Sequence, residues 1–176
     1  MFTVDGFNHK KVMVIAPHAD DEDFGCGALL ARIEKTASLH LLLVATYDQT
    51  FRDGTHITAV EREKEFLAVA NSLMCDCTIL GKKRVAGRLE HGDVLDSIQK
   101  VLDRIRPEVL FFIAPSFHQD HVDVHDAVVA ALRPQRATFV KQTFTYEVPN
   151  YTWYTESNLF VPNVFLPFDD TIPYLS

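Results

Sequence analysis

The chain has 176 residues, which is enough for one well-packed domain and too few for two comfortable ones. Its 24 acidic and 17 basic residues give a net charge of -7, and its one short basic run, Lys82–Arg84, is best interpreted as a solvated loop, so we expect no nucleic-acid partner. The longest apolar stretch is far shorter than the ~20 residues of a membrane-spanning helix, and the N-terminus has no apolar signal core, so we expect no membrane span and a cytoplasmic location.

Apolar runs alternate with amphipathic patterns along the chain. The continuous apolar runs predict strands over Lys11–Ala16, Ser38–Tyr47, Cys77–Leu80 and Glu108–Pro115, with a later alternating strand over Ala137–Val148. The amphipathic patterns predict helices over Gly25–Lys35, Ile57–Met74, Gly92–Ile105 and Val124–Arg133. This alternation is typical of an α/β fold with a parallel sheet and helices on both of its faces.

Two polar clusters follow two of the predicted strands. The first is "PHADDE", Pro17–Glu22, and the second is "HQDHVDVHD", His118–Asp126. In open parallel sheets, ligands bind outside the carboxyl ends of the strands, so the clusters meet in one crevice if their strands are neighbours. Two histidines and one aspartate suit zinc with an open coordination position, and the same set suits ferrous iron. A second carboxylate can then accept a proton from the activated water.

Each cluster also has a simpler interpretation. Asp20 and Asp21 can form a solvated acidic loop or cap the following helix, and a histidine at a strand end often makes only a local hydrogen bond. We interpret His91 as a solvated loop residue. His125 lies one helical turn after His121, and we interpret it as a neighbour of the site rather than a ligand. The occurrence of both clusters at equivalent strand ends favours a shared metal site.

These motifs resemble those of the LmbE-like, or PIG-L-type, N-acetylglucosaminyl deacetylases. That family has a Pro-His-Pro-Asp-Asp-Glu loop after its first strand and a later His-x-Asp-His loop, which "PHADDE" and "HQDH" match here. "GCG", "REKE", "YEVP" and "FVPNVF" give weaker agreement, and the resemblance runs from about Lys11 to the end. The resemblance implies a Rossmann-like fold, a three-layer αβα sandwich with a mostly parallel sheet. It also implies deacetylation of an N-acetylated amino sugar or its conjugate.

The resemblance further implies a role for each motif residue near the metal. His18, Asp21 and His121 would be the metal ligands, with zinc as the cofactor and ferrous iron as the alternative. Asp20 would be the general base that activates water.

The remaining implied roles concern catalysis and substrate. His118 would stabilise the tetrahedral intermediate or protonate the leaving amine, and Asp120 would hold His118 in orientation. An arginine of the second helix contacts substrate in the family, which makes Arg62 a candidate for binding the small-molecule sugar.

The chain departs from the family pattern in two places. Ala19 replaces the second proline of the motif, and the chain stops at Ser176, where family members continue into a further helix. We therefore expect one LmbE-like domain over residues 1–176 that is short at its C-terminus. The alternative hypothesis is a degenerate member that binds a sugar or a partner without catalysis. The oligomeric state stays open, with a homo-oligomer as one outcome.

Overall fold

The computed structural model describes residues 3–148 and 161–166. A short 3-10 turn at Val4–Phe7 precedes the first strand. The strands are β1 Lys11–Ala16, β2 Ser38–Ala45, β3 Gln49–Thr50, β4 His56–Ile57, β5 Asp76–Lys82, β6 Val109–Ile113 and β7 Gln142–Tyr146. The helices are α1 Asp21–Ile33, α2 Ala59–Ser72, α3 His91–Ile105 and α4 Gln119–Ala131.

Five of these strands form one parallel sheet in the order β5-β2-β1-β6-β7, and β3 pairs with β4 in a separate antiparallel hairpin. The chain moves outward from β1 through β2 to β5 on one side, and from β6 to β7 on the other. The direction therefore switches between β1 and β6, which pair from Val12 with Val109 to Ile15 with Phe112. The predicted Rossmann-like α/β sandwich is confirmed, and its switch point lies where ligands bind in such sheets.

The central strands are apolar along their whole length because helices cover both faces of the sheet. In β1 and β2 every residue after the first is buried, and all of β6 is buried. Helix α3 packs on α4, and α4 packs on β6. This packing fixes the carboxyl ends of β1 and β6, from which both polar motifs start.

Two helices begin earlier than the apolar periodicity predicts. Helix α1 starts at Asp21 rather than Gly25, and α4 starts at Gln119 rather than Val124. Acidic residues are favourable in a first helical turn because the N-terminal end of the helix dipole is positive. Apolar spacing cannot detect such a polar turn, so the motif residues were assigned to loops although they form the first turns of the helices.

The other predicted elements are found and differ only at their ends. His91, predicted in a loop, is the exposed first residue of α3. For the proline-rich, aromatic tail from Pro149 the sequence predicts irregular strand and loop that lie over the body. That tail falls outside the described residues except for 161–166, which form no regular element. Within the part of the chain that the structure describes, none of the helices is long and apolar enough to cross a bilayer.

Candidate active site

The two sequence motifs meet at the switch point of the sheet. The ring centroid of His18 lies 4.6 Å from that of His118 and 5.5 Å from that of His121. Asp21 reaches the same place, because its Oδ2 lies 3.3 Å from His18 Nδ1 and 3.4 Å from His121 Nε2. Side chains separated by about a hundred residues in the sequence therefore form one cluster.

The donor set of this cluster fits a transition metal. Two imidazole nitrogens, from His18 and His121, and one carboxylate oxygen, from Asp21, suit zinc or ferrous iron. His18, His118 and His121 also offer nitrogens that lie within 4.8 Å of one another. The arrangement thus admits either Asp21 or His118 as the third ligand.

Local hydrogen bonds hold the three predicted ligands in place. The backbone N–H of His18 donates to Asp21 Oδ2 over 3.0 Å, which ties the end of β1 to the first turn of α1. Ser116 Oγ is hydrogen-bonded to His121 Nδ1 at 2.9 Å, so that the other ring nitrogen faces Asp21. Such partners orient a metal ligand and fix its tautomer.

The site favours positive charge at His18 and disfavours it at His118. Burial opposes protonation of His18, but hydrogen bonds to Asp120 and Asp21 outweigh it and raise the pKa of His18 to about 9. Burial and the neighbouring His18 and His121 lower the pKa of His118 to about 4. Burial also disfavours the charged form of Asp21, yet hydrogen bonds from His121 and His18 hold its pKa well below the usual range. A cation is therefore stabilised on the side of Asp21.

Asp20 stands directly before α1 with an unusual backbone. Its φ is 150° and its side chain makes no capping hydrogen bond, so the predicted alternative of an N-cap is not found. Its backbone N–H donates to Glu22 Oε2 at 3.3 Å, and its side chain remains 45% exposed. Burial, followed by the charge of Asp21, raises the pKa of the Asp20 carboxyl. Residues held in such conformations are common at functional sites.

The free side of the cluster opens into a pocket of about 180 Å³. Asp20, His18 and His118 line it, together with Arg62 from α2 and Phe51 from the β3–β4 hairpin. Arg62 donates to Glu65 Oε2 at 3.0 Å and lies 3.9 Å from Asp20 Oδ2. The structure thus places Arg62 at the pocket with its guanidinium next to the candidate base, and its role in binding substrate stays a prediction.

The structure pairs Asp120 with His18, and the predicted role of Asp120 in orienting His118 stays a prediction. The Asp120 carboxylate accepts from His18 Nε2 at 2.8 Å. Its link to His118 runs through Arg84, whose Nε donates to Asp120 Oδ1 at 2.8 Å while a terminal nitrogen lies 3.2 Å from His118 Nε2. Asp120 is the second residue of α4, and this position turns its side chain towards the end of β1.

Sequence analysis missed two residues of this network. Arg84, which was assigned to a solvated loop, follows the end of β5, and Tyr47 follows the end of β2. Tyr47 donates from its hydroxyl to Asp120 Oδ2 at 2.9 Å and lines the pocket. The rule that ligands gather at the carboxyl edge of a parallel sheet would have found both, had it been applied to every strand.

His125 lies outside the cluster, as the sequence analysis expected. Its Nδ1 is hydrogen-bonded to the carbonyl oxygen of Ile113 at 2.9 Å, at the end of β6. His121 therefore faces the site, whereas His125, one helical turn later, is hydrogen-bonded to the end of β6.

Comparisons of sequence and structure identify known proteins that this chain resembles. Residues 13–132 match the family model described as PIG-L: GlcNAc-PI de-N-acetylase. The uncharacterized deacetylase YaiS of Escherichia coli is 28% identical over 163 residues, which cover 89% of this chain and 80% of that protein. A conserved protein from Thermus thermophilus is 27% identical with a TM-score of 0.63, covering 87% of this chain and 69% of that one. The N,N'-diacetylchitobiose deacetylase from Pyrococcus horikoshii has 20% identity and a TM-score of 0.60, with coverages of 73% and 53%.

Proposed function

Since the chain belongs to the PIG-L family of de-N-acetylases, we propose that it is a metal-dependent hydrolase that removes the acetyl group from an N-acetylated amino sugar or its conjugate. One observation carries the proposal. His18, Asp21 and His121 converge on one point beside a pocket that also holds Asp20 and His118. This is a metal donor set with a candidate base and a candidate hydrogen-bond donor within reach of a substrate.

His18, Asp21 and His121 would hold the metal, which is zinc or ferrous iron. When bound, the metal lowers the pKa of a water molecule and polarises the acetamide carbonyl. Asp20 would take the proton of that water, because its carboxyl lines the pocket and is only half buried. The water oxygen then attacks the carbonyl carbon.

The hydrogen bonding of His118 favours one of its two implied roles. An arginine nitrogen can only donate, so Nε2 of His118 accepts from Arg84, and the ring carries its single proton on Nδ1. A neutral ring suits His118 for donating a hydrogen bond to the developing oxyanion. The leaving amine would then take its proton from Asp20, which received it from water, as the carbon–nitrogen bond breaks and acetate is released.

The substrate proposal draws on the family and on the pocket. The Pyrococcus relative is named for a di-N-acetylated sugar, and the family description names an N-acetylglucosaminyl lipid. A pocket of about 180 Å³ is large enough for an acetamide group. Arg62 at the rim offers N–H donors to a sugar hydroxyl.

The test combines metal content with amine release. Protein without an affinity tag is analysed by plasma mass spectrometry and assayed for free amine on N-acetylglucosamine and N,N'-diacetylchitobiose. We expect about one metal ion per chain and amine release from at least one sugar. Asp21→Ala should lose the metal. His125→Gln, which replaces a histidine of α4 that faces away from the cluster, should keep it.

Two outcomes would contradict the proposal in different ways. A chain that takes up neither zinc nor iron would remove the metal-dependent mechanism. A chain that binds metal but releases no amine from any N-acetylated sugar would support the alternative, a family member that binds a sugar or partner without catalysis. A hydrolysis rate that is unchanged in Asp20→Asn would refute the role of the base.

A further inference from the structure

Asp120 is a completely buried carboxylate that three side chains hold in a fixed orientation. Its exposed fraction is 0%. His18 Nε2 and the Tyr47 hydroxyl contact Oδ2 at 2.8 and 2.9 Å, and Arg84 Nε contacts Oδ1 at 2.8 Å. A buried charge is tolerated only when it is paired and hydrogen-bonded in this way.

The donors define where the protons lie. The guanidinium of Arg84 can only donate hydrogen bonds, and its positive charge stabilises the ionised form of Asp120. An ionised carboxylate can only accept hydrogen bonds. His18 must therefore present an N–H from Nε2 to Asp120. The other ring nitrogen, Nδ1, is then left to face Asp21 Oδ2 at 3.3 Å and the point where the ligands converge. This geometry is the carboxylate–histidine–metal arrangement that orients ligands in metal sites.

We propose that Tyr47 and Arg84 are positioning residues that hold Asp120 against His18, so that His18 presents Nδ1 to the metal. The proposal rests on the proposed function only in assuming that His18 is a metal ligand. It gives Asp120 the role of orienting the metal ligand His18, whereas the family resemblance implies that Asp120 orients His118.

Tyr47 and Arg84 also contact each other, which makes the support continuous. The guanidinium carbon of Arg84 lies 4.9 Å from the centroid of the Tyr47 ring, within the range of a cation–π contact. The Tyr47 ring in turn stands edge-on to His18 at 6.1 Å between centroids. Residues that follow β2 and β5 thus support one ligand that follows β1.

A purely structural role for Arg84 is the competing explanation, and the chain offers a matched control. Arg88 lies on the same loop, and it contacts Asp123 on the same helix α4. Asp123 also accepts from the backbone N–H of Leu89, so this second pair ties the loop to α4 without touching His18 or Asp120. Substitution of Arg88 therefore measures how zinc affinity changes when the loop loses a contact with α4 and the contacts of His18 and Asp120 stay intact.

The experiment measures zinc affinity of the metal-free full chain by competition with a chromophoric chelator. Side chains that orient metal ligands typically change metal affinity by about 10–100-fold, and we expect about 10-fold weaker zinc binding for both Tyr47→Phe and Arg84→Gln. Arg88→Gln should bind zinc like the wild type. Arg84→Lys should remain weak, because an ammonium cannot contact Asp120 and His118 with the geometry of a guanidinium.

A second readout separates positioning from general instability. In the metal-free protein, nitrogen-15 spectra of the imidazoles should show a protonated Nε2 on His18. That N–H signal should be lost or shifted in Arg84→Gln and retained in Arg88→Gln. Far-UV circular dichroism establishes that each variant is folded.

The outcomes distinguish this proposal from the proposed function. If either Tyr47→Phe or Arg84→Gln binds zinc within about twofold of the Arg88→Gln control, the positioning role of that residue is overturned, whatever the enzyme does. If both variants lose zinc affinity while the wild type releases no amine, the positioning role stands and the deacetylase proposal fails. An Nε2 of His18 without a proton would overturn the assignment of Asp120 directly.

Discussion

Replacement of Gly25 by alanine should destabilise the protein, although the position lies inside a helix. Gly25 belongs to α1, where alanine is normally more favourable than glycine by ~0.5–1 kcal/mol. At this position, however, an added Cβ would lie 2.1 Å from Cδ2 and 2.7 Å from Cε2 of Tyr146. The added Cβ therefore fits only if the Tyr146 ring or the helix moves.

The ring of Tyr146 has little freedom to move. It is only 6% exposed, and its hydroxyl donates to the carbonyl oxygen of Ile15 at 2.9 Å. Overpacking a core of this kind costs ~1–3 kcal/mol. A shift that breaks the buried hydrogen bond adds ~1–3 kcal/mol, because the hydroxyl is left without a buried acceptor. After the gain in helix propensity is subtracted, Gly25→Ala should lower the free energy of unfolding by about 1–5.5 kcal/mol.

Gly92 provides the control for the same substitution. It lies in the first turn of α3, and no atom is within 4 Å of a Cβ built there. Gly92→Ala should therefore be neutral or stabilise by up to ~1 kcal/mol. Urea unfolding followed by circular dichroism measures both variants against the wild type. A Gly25→Ala protein as stable as the wild type would refute the close approach of Tyr146 to α1.

Three further predictions test other parts of the molecule. Asp20→Asn should keep its metal by plasma mass spectrometry but lower kcat by about 10²–10⁴-fold, the usual effect of losing a general base; loss of metal would mean that Asp20 is a ligand instead. Burial and then Arg104 lower the pKa of His40 from its ordinary 6.5, so neutral His40 stabilises fully above that pH and less as the pH falls below it. His40→Gln should therefore lose less stability between about pH 7 and about pH 5.5 than the wild type in urea titrations, and equal losses would contradict the argument. Thr58→Ala removes the capping box of α2 and should lower the free energy of unfolding by ~1 kcal/mol, measured by thermal melting; an unchanged midpoint would show that the cap contributes nothing.

The fold and the location of the site follow from simple features of the sequence. Buried strands in a doubly covered sheet are continuous apolar runs, which stand out over Lys11–Ala16 and around Val109–Ile113. Polar residues directly after such runs lie at the carboxyl edge, and the edge collects ligands. The sequence alone therefore predicts that the side chains of His18 and His121 lie close together.

The partner of Asp120 could not be predicted in the same way. His118 lies two residues away in sequence and appeared the natural partner, whereas His18 lies 102 residues away. His118 is the extended N-cap residue of α4 and Asp120 is the second residue of the helix, so their side chains leave the helix end in different directions. Which strand end Asp120 then faces depends on the pairing of β1 with β6, and no local pattern encodes that choice.

The buried acids bear on where the proposed metal would bind. Asp21, Glu22, Asp120 and Asp123 are the buried acids of the described residues. Asp120 and Asp123 each contact an arginine of the loop after β5, so their charges are neutralised by the chain itself. Asp21 contacts two histidines, which carry no net charge when their nitrogens bind a metal. In the proposed function, the positive charge that balances Asp21 would then be the metal, which would lie beside the proposed base Asp20.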